Sequence, residues 1–331
     1  MRSRSRRQLL QGSLAVAGVT LFAGCGIPFG PAGQPAPPHR IGLLLSGGQV
    51  ADHLAAFRRG LRELGYLEGQ DVALEVRNAE GSEERYGELA ADLVRLDVDV
   101  IVTGGSELIR AAGQATTTIP IVFAATGDPV AEGLVASLAR PGGNITGLAT
   151  SAGQERAKQL ELFKEAVPSL SRVAVLWNQS GVRTFREAES AAQRLGLEFL
   201  SLELRSPDEL DAVLAGAIAG RADGLMVTGG PVFGFLAPRV VEFAVRGRLP
   251  AMYSNPPYID AGGLMIYAAN ILQNYRRAAT YVDKILKGAK PADLPVQLPT
   301  TFDFVINLNT AQALGLTIPQ SVLQQATEII Q

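Results

Sequence analysis

The sequence has few of the residues from which most catalytic and metal sites are built. Its 331 residues include one cysteine, Cys25, and two histidines, His39 and His53. A single cysteine excludes an intramolecular disulfide, and so small a supply of cysteine and histidine disfavours a metal site made from these ligands. A Ser/His/Asp triad is also disfavoured, because His39 lies in a predicted tether and His53 at the start of a predicted helix.

The motifs of several enzyme classes are absent as well. The chain has no G-x-x-x-x-G-K-[ST] loop, no G-x-G-x-x-G after a strand and no H-E-x-x-H, which argues against a P-loop ATPase, a dinucleotide enzyme and a zinc protease. The net charge is −2, and the chain has no block of basic residues after its first 24 residues. Four of its basic residues precede Cys25, so the remainder is near −6. These absences make an enzymatic interpretation weak, and we expect no cofactor and no nucleic-acid partner.

What the chain does have is apolar material in a globular proportion. Hydrophobic residues make up 47% of the chain and charged residues 19%, which is typical of folded soluble domains. The length favours about two domains.

The first 25 residues are typical of an export signal. Four arginines precede a moderately apolar stretch from Leu9 to Ala23, which is too short for an ordinary transmembrane helix. Small residues then lead to Cys25, as in a lipoprotein cleavage site, and Arg6-Arg7 resembles a twin-arginine signal. We expect the mature protein to begin at Cys25 with a lipid on its thiol; the alternative is a buried N-terminal helix with a structural cysteine. The four arginines are Arg2, Arg4, Arg6 and Arg7.

Residues 26–39 have the composition of a flexible tether, rich in proline and glycine and without apolar periodicity. No long hydrophobic stretch follows. We therefore expect an exported protein that faces the periplasm or the cell surface and is attached to the membrane by its lipid alone.

From residue 40 onward, short apolar runs alternate with amphipathic segments. Repetition of strand and helix in this order predicts parallel sheets covered by helices, the α/β class. The pattern restarts after Gly147, which predicts two similar lobes. The predicted strands include Ile41–Leu45, Asp71–Arg77, Val98–Thr103 and Ile119–Ala125 in the first half, and Val173–Trp177, Leu197–Leu204 and Gly224–Thr228 in the second.

We predict that residues 40–148 form the first lobe together with 268–308, which includes a returning strand at Phe302. Residues 149–267 then form the second lobe. Residues 309–331 are predicted to be C-terminal helices, assigned to neither lobe.

Ligands of open parallel sheets bind beyond the carboxyl ends of the strands. The loops at these positions are rich in glycine, serine and threonine, which expose backbone N–H groups to anions at helix N-termini, while Asp128 offers a negative charge for an ammonium group. The alternative for any single loop is ordinary capping and turning. The candidate ligand-binding residues in these loops are Ser46, Gly47, Thr103, Gly105, Ser106, Thr126, Asp128, Asn178, Thr228 and Tyr253.

Three longer stretches resemble a known family. Residues 119–149, which contain Thr126-Gly127-Asp128-Pro129, residues 261–270, AGGLMIYAAN, and residues 276–319 are similar to the ABC transporter substrate-binding proteins of the tryptophan/tyrosine type. The resemblance covers nearly all of the chain after Arg40. It implies the type I periplasmic-binding-protein fold, in which two Rossmann-like lobes with parallel sheets are joined by a hinge of about three crossovers.

The resemblance also implies that the protein has no enzymatic activity, and it implies a function and residue roles. A small solute is captured between the lobes and delivered to a permease with its ATPase subunits, and the family members of known ligand bind aromatic amino acids. Asp128 is expected to accept the ligand ammonium. The amides of Gly105 and Ser106 are expected to hold its carboxylate. Tyr253 and Tyr267 are candidates for stacking on an aromatic side chain.

Two other functions stay open at this stage. A sensory binding protein of the same fold would pass its ligand to a membrane receptor instead of a permease. An exported α/β hydrolase would need a nucleophile with a nearby base, and no strand-end loop contains a histidine. We expect the protein to be a monomer with a zwitterionic amino-acid ligand.

Overall fold

The computed structural model describes residues 37–47, 49–150, 155–228 and 231–331. The predictions for the targeting segment, for Cys25 and for most of the tether lie outside these residues. Residues 38–331 form one unit, which contains two β-sheets.

The first sheet has five parallel strands, and its central strands are buried on both faces. Ile41–Leu45 is an uninterrupted buried run, as expected for a strand covered by helices on both sides. The strands are β1 (His39–Leu45), β2 (Val72–Asn78), β3 (Val100–Gly104), β4 (Ile121–Ala125) and β5 (Ile145–Gly147), in spatial order β2-β1-β3-β4-β5. The helices between them are α1 (Val50–Glu63), α2 (Tyr86–Arg95) and α3 (Ser106–Ala115).

The second sheet has seven strands in the order β12-β11-β10-β9-β8-β6-β7. Its strands are β6 (Arg172–Trp177), β7 (Glu198–Glu203), β8 (Gly224–Val227), β9 (Ala251–Tyr253), β10 (Met265–Ala269), β11 (Phe302–Asn307) and β12 (Glu328–Ile330). Its helices are α4 (Glu155–Ala166), α5 (Val182–Arg194), α6 (Leu210–Ala219), α7 (Pro231–Phe235), α8 (Ala237–Arg246), α9 (Pro257–Asp260), α11 (Leu308–Ala313) and α12 (Gln320–Leu323).

The returning strand β11 lies in the second sheet, where it pairs antiparallel with β10. The sequence-based assignment of residues 268–308 to the first lobe is therefore wrong for this strand. A βα pattern identifies a strand but not its partner, and β11 pairs over its whole apolar length, from Ala269 opposite Phe302 to Met265 opposite Ile306. The pairing also makes this sheet mixed rather than wholly parallel.

The C-terminus differs from prediction in a related way. After α11 and α12 the chain ends in β12, a strand that pairs in parallel with β11, rather than in helices alone. Residues 328–330 are too few to show a period in the sequence, so only the partner strand defines them.

Helix α10 (Ile271–Leu286) packs against the first lobe, mainly on α1. The two helices approach closely at Gly60, where a Cβ would lie 2.1 Å from the backbone oxygen of Arg276 and 2.9 Å from the Cβ of Ala279. Only glycine allows this separation. Tyr275, Ala278 and other apolar residues of α10 then complete the core beneath the first sheet.

Three chain segments connect the lobes: one between β5 and α4, one between β10 and α10, and one leading into β11. Two of them are hydrogen bonded to each other, since Gln297 N–H donates to Gly147 O at 3.0 Å and Ala149 N–H donates to Gln297 O at 2.9 Å. Asn274 Nδ2 adds a bond to Ala149 O at 3.3 Å. Among the described helices, none has the length and hydrophobicity needed to cross a bilayer.

Candidate ligand-binding site

A cleft of about 510 Å³ lies between the lobes. It is bordered by the carboxyl ends of β3 and β4 in the first lobe and by those of β6 and β9 in the second, as the rule for open parallel sheets predicts. Its described lining consists of Gly105, Ser106, Glu107, Ala125, Thr126, Gly127, Ala131, Glu132, Thr150, Arg156, Gly181, Val182, Arg183, Thr184, Ser254, Asn255 and Ile271.

The N-terminus of α3 forms part of the first-lobe wall. Gly105 precedes the helix with φ 93°, a left-handed conformation that favours glycine. The first amides of a helix have no partner within it and carry partial positive charge. The Ser106 end of α3 therefore suits a carboxylate.

The predicted contribution of the Gly105 amide needs correction. Gly105 N–H already donates to Ala125 O at 2.6 Å, because the chain turns sharply from β3 into α3 beside the end of β4. This amide is therefore not available to a ligand. Gly105 still lines the cleft. The role expected of its amide, binding a carboxylate, is left to the amides that follow it in α3.

A hydrogen-bonded chain of side chains runs along the same wall. Thr126 Oγ1 donates to Glu132 Oε2 at 2.9 Å, since an ionised carboxylate can only accept. A hydroxyl has one proton, so across their 3.2 Å contact Ser106 Oγ must donate to Thr126 Oγ1. Ser106 Oγ is thereby left as an acceptor toward the cleft, and beside Glu132 it suits a positively charged donor.

Asp128 has a structural role next to this chain. Its Oδ1 accepts from the amides of Val130 at 3.2 Å and Ala131 at 3.0 Å, which is the capping that the sequence offers as the alternative to ligand binding. Its Oδ2 lies 3.9 Å from Arg183 Nε of the second lobe. Glu132, rather than Asp128, belongs to the lining of the cleft.

The second-lobe wall contains two arginines. Arg183 Nη1 is hydrogen bonded to Glu187 one turn further along α5, so its charge is largely balanced. Arg156, at the start of α4, donates from Nη1 to the neutral side chain of Gln159 at 2.6 Å. Burial lowers the pKa of the Arg156 guanidinium, an effect that the nearby charges of Glu155 and Glu187 oppose.

Asn255 completes this wall after β9. Its Oδ1 is fully buried and has no hydrogen-bond partner among the described residues. Because buried polar atoms are nearly always paired in native proteins, such an atom on a cleft wall is a candidate ligand contact.

Several predicted site residues lie elsewhere. The hydroxyls of Thr103 and Thr228 are buried and donate to the carbonyls of Leu44 at 2.8 Å and Leu176 at 3.1 Å, so both threonines tie neighbouring strands together. Their position at strand ends matched the rule for ligand loops, but the side chains face into the sheets. Asn178, half-buried at the end of β6, is not part of the described lining.

Ser46 and Gly47, which follow β1, are also absent from the described lining of the cleft. Ser46 O accepts from Gly81 N–H at 2.5 Å, and a Cβ at Gly47 would lie 2.8 Å from the same nitrogen. The loop therefore packs on the turn after β2.

The predicted aromatic residues are used for packing. Tyr253 is 1% exposed and stacks on Tyr258 with ring centroids 4.4 Å apart. Tyr267 stacks on Phe302 at 5.2 Å. Neither tyrosine lines the cleft in this structure.

Sequence reasoning missed Glu132, Arg156 and Arg183. Glu132 lies inside a turn that has no periodicity, and the arginines lie in helices, where a charged residue ordinarily indicates a solvated face. Asn255 was in a loop that the sequence singled out, but nothing distinguished it from its neighbours.

Residues 41–330 match the family of ABC transporter substrate binding proteins. The chain belongs to this family. The resemblance stated from the sequence is thereby confirmed, and so is the expectation of a binding protein rather than an enzyme, because the family consists of solute-binding proteins. Substrate-binding proteins of ABC transporters are exported.

Individual relatives agree with this assignment. The tyrosine-binding protein of Clostridioides difficile (strain R20291) is 27% identical over 263 residues, which cover 78% of this chain and 75% of the relative. The structure of an ABC domain in complex with L-Trp from Streptococcus pneumoniae matches with a TM-score of 0.81 and 27% identity, over 89% of this chain and 100% of that one. A conserved domain protein from Vibrio cholerae matches with a TM-score of 0.79 and 27% identity, over 88% and 100% of the two chains.

The fold extends to more distant binding proteins. The leucine binding protein LivK from Thermotoga maritima matches with a TM-score of 0.56 at 14% identity, over 83% of this chain and 87% of that one. At this identity the match concerns the fold alone. The substrate-binding protein described here therefore has the type I periplasmic-binding-protein fold, as predicted.

Proposed function

We propose that this substrate-binding protein captures an amino acid in the cleft between its lobes and delivers it to the permease of an ABC importer. The observation that carries the proposal is a cleft that combines the N-terminus of α3, the acidic side chain of Glu132 and the guanidinium of Arg156. Relatives named for tyrosine binding or solved with L-Trp support an amino-acid ligand. The permease and its ATPase subunits are the proposed partners of a monomeric protein.

The first lobe recognises the zwitterionic part of the ligand in this proposal. The carboxylate binds the free amides at Ser106, and the ammonium binds the acidic side of the same wall, at Asp128 or Glu132. The carboxylate and the ammonium of an amino acid are attached to one carbon atom, so their binding sites must be adjacent. The hydrogen bonds that link Ser106 through Thr126 to Glu132 support this adjacency. A hydrogen bond to a charged group contributes about 1.5–3 kcal/mol net.

The second lobe closes on the ligand from the opposite side. Arg183 approaches Asp128 across the cleft, at 3.9 Å between Nε and Oδ2. Both side chains are more than one-third exposed, so this pair contributes at most about 1 kcal/mol and the ligand must supply the rest of the closing free energy.

A thermal-shift screen against the twenty L-amino acids tests the proposal. A ligand at about 100 times its Kd stabilises the folded protein by about 2.7 kcal/mol, so a true ligand raises the melting temperature clearly. Its N-acetyl derivative and its methyl ester serve as controls, because each lacks one charge of the zwitterion. The proposal is wrong if no amino acid stabilises the protein, or if both derivatives stabilise it as well as the parent compound.

The proposed location is the outer face of the membrane, with a lipid anchor on Cys25. The support is the sequence alone: an arginine-rich start, a short apolar stretch and small residues before the cysteine. An anchored protein remains close to the permease, which favours transfer of the ligand.

A further inference from the structure

The described part of the cleft wall offers no aromatic surface on which a ring could stack. None of its described lining residues is aromatic. Beyond residue 37, the residues left out of the description are glycine, serine, alanine or glutamine by sequence. This composition is unexpected for a site that binds tryptophan or tyrosine, because ring stacking contributes to aromatic recognition.

Six aromatic residues of the second lobe are already paired with one another. Tyr253 stacks on Tyr258 and Tyr267 on Phe302, while Trp177 stacks on Phe185 at 4.2 Å and donates Nε1–H to Ser201 Oγ at 2.8 Å. Moving any of these rings toward a ligand would break an existing stack. The described residues on the second-lobe wall are mainly polar, and Arg156 and Arg183 among them are charged.

Arg156 is the group on this wall that most needs a ligand. Its guanidinium is half-buried, its hydrogen bond of 2.6 Å goes to Gln159, a neutral acceptor, and the nearby charges of Glu155 and Glu187 offset part of the cost of its burial. Burying a charge is costly unless a charged partner with good hydrogen-bond geometry compensates it. Arg183 differs, because Glu187 accepts its hydrogen bond.

The charges of the cleft agree with an anionic side chain on the ligand. Glu132 on the first lobe suits the ligand ammonium, and the N-terminus of α3 suits the α-carboxylate. A ligand with only these two charges would offer no charged group to Arg156. A guanidinium offers five donors in a fork that fits a carboxylate. The buried Asn255 Oδ1 lies on the same wall, and an amide can rotate to place its NH₂ toward an acceptor.

We infer that the ligand is an amino acid whose side chain ends in a carboxylate, of the glutamate or aspartate class, and that Arg156 binds this side-chain carboxylate. The inference rests on the proposed function, because it assumes that the first lobe binds the zwitterionic part. It sets this protein apart from its relatives with aromatic ligands.

Calorimetric titration with four ligands tests the inference: L-glutamate, L-aspartate, L-glutamine and L-tryptophan. Glutamate and glutamine have nearly the same shape but differ in charge, so their affinity ratio measures recognition of the side-chain carboxylate. We expect glutamate or aspartate to bind at least tenfold more tightly than glutamine, and tryptophan to bind more weakly still.

The variant Arg156→Gln separates the two roles that Arg156 could have. If it binds the side-chain carboxylate, the variant loses the preference for glutamate and changes glutamine affinity little. If it binds the α-carboxylate instead, the variant weakens both ligands by the same factor, and the inference is overturned. Arg186→Gln, which removes an equal charge from an exposed position on α5, is the matched control and should leave the ratio within twofold.

The two proposals fail in distinguishable ways. Tight binding of tryptophan or tyrosine, with weak binding of the acidic amino acids, would overturn the inference and support the proposed function. If none of the twenty amino acids binds, the proposed function itself fails. Should Arg156→Gln not fold, the ligand preferences of the unchanged protein still decide, and Arg156→Lys, which keeps the charge, is expected to retain part of the preference for glutamate.

Discussion

Asp128 can be tested for its two roles separately, because asparagine and alanine remove different parts of its side chain. Asn keeps the Oδ1 atom that accepts from the amides of Val130 and Ala131 at 3.2 and 3.0 Å, but it removes the negative charge. Ala removes both. Losing such a cap costs about 1 kcal/mol, within a range of about 0.5–2 kcal/mol, and about 1 kcal/mol corresponds to roughly 1.5 °C in melting temperature for a protein of this length. We expect this loss for Asp128→Ala and almost none for Asp128→Asn.

Ligand affinity follows a different order if Asp128 binds the ammonium. Asp128→Asn and Asp128→Ala should then both weaken binding at least about tenfold, because both remove the charge-assisted bond to the ligand. Glu132→Gln is the comparison variant: its amide oxygen can still accept from Thr126, so the wall keeps its shape without the charge. Melting of the ligand-free variants and titration with the ligand found by the screen give both quantities.

Unchanged affinity in Asp128→Asn would refute the assignment of the ammonium to Asp128. If Glu132→Gln then loses affinity, the ammonium contact is Glu132, and Asp128 serves only to cap the turn after Pro129. If neither variant loses affinity, the first-lobe wall does not bind a cation, and the zwitterionic model of the ligand is wrong.

Three further predictions concern packing, pH and the membrane. Gly60→Ala should destabilise the protein by about 1–3 kcal/mol in denaturant unfolding, because its Cβ would meet Arg276 O at 2.1 Å, whereas Gly87→Ala, a helix position with open space, should not destabilise it. Burial lowers the pKa of His53, which stacks on Tyr275, so the unfolded chain takes up a proton more readily and stability should fall as the pH drops below about 6.5. His53→Gln should flatten that dependence; parallel curves for the two proteins would contradict it. Cys25→Ser should release the protein from the membrane fraction, and continued membrane association after processing would exclude the lipid anchor.

The strand and helix pattern was predictable from the sequence because buried parallel strands are continuous apolar runs between amphipathic helices. Ile41–Leu45 and Val173–Trp177 are examples, and both are strands in the structure. The placement of Phe302–Asn307 was not predictable in this way. A strand's partner depends on the path of the chain after α10, and apolar periodicity contains no information about that path.

The cleft was predictable in its location but not in its chemistry. The strand-end rule identified Ser106 and Thr126 correctly as cleft residues. It also selected Thr103 and Thr228, because the rule cannot tell a side chain that faces the cleft from one that bonds to the neighbouring strand. The rule did not identify Arg156, because this residue follows a connection between the lobes and not a strand. Only the three-dimensional structure places Arg156 in the same cleft as Ser106.

Closure of the two lobes on an amino acid can be measured directly as a change in the distance between the lobes. No cysteine follows Cys25 in the sequence, so cysteines introduced at the exposed positions Arg110 of α3 and Arg186 of α5 can carry a specific pair of spin labels. We expect the amino acid identified by the screen to shift the distance distribution toward a shorter separation, and its N-acetyl derivative to leave it unchanged. An unchanged distribution at a saturating concentration of that amino acid would show that the lobes do not close on it.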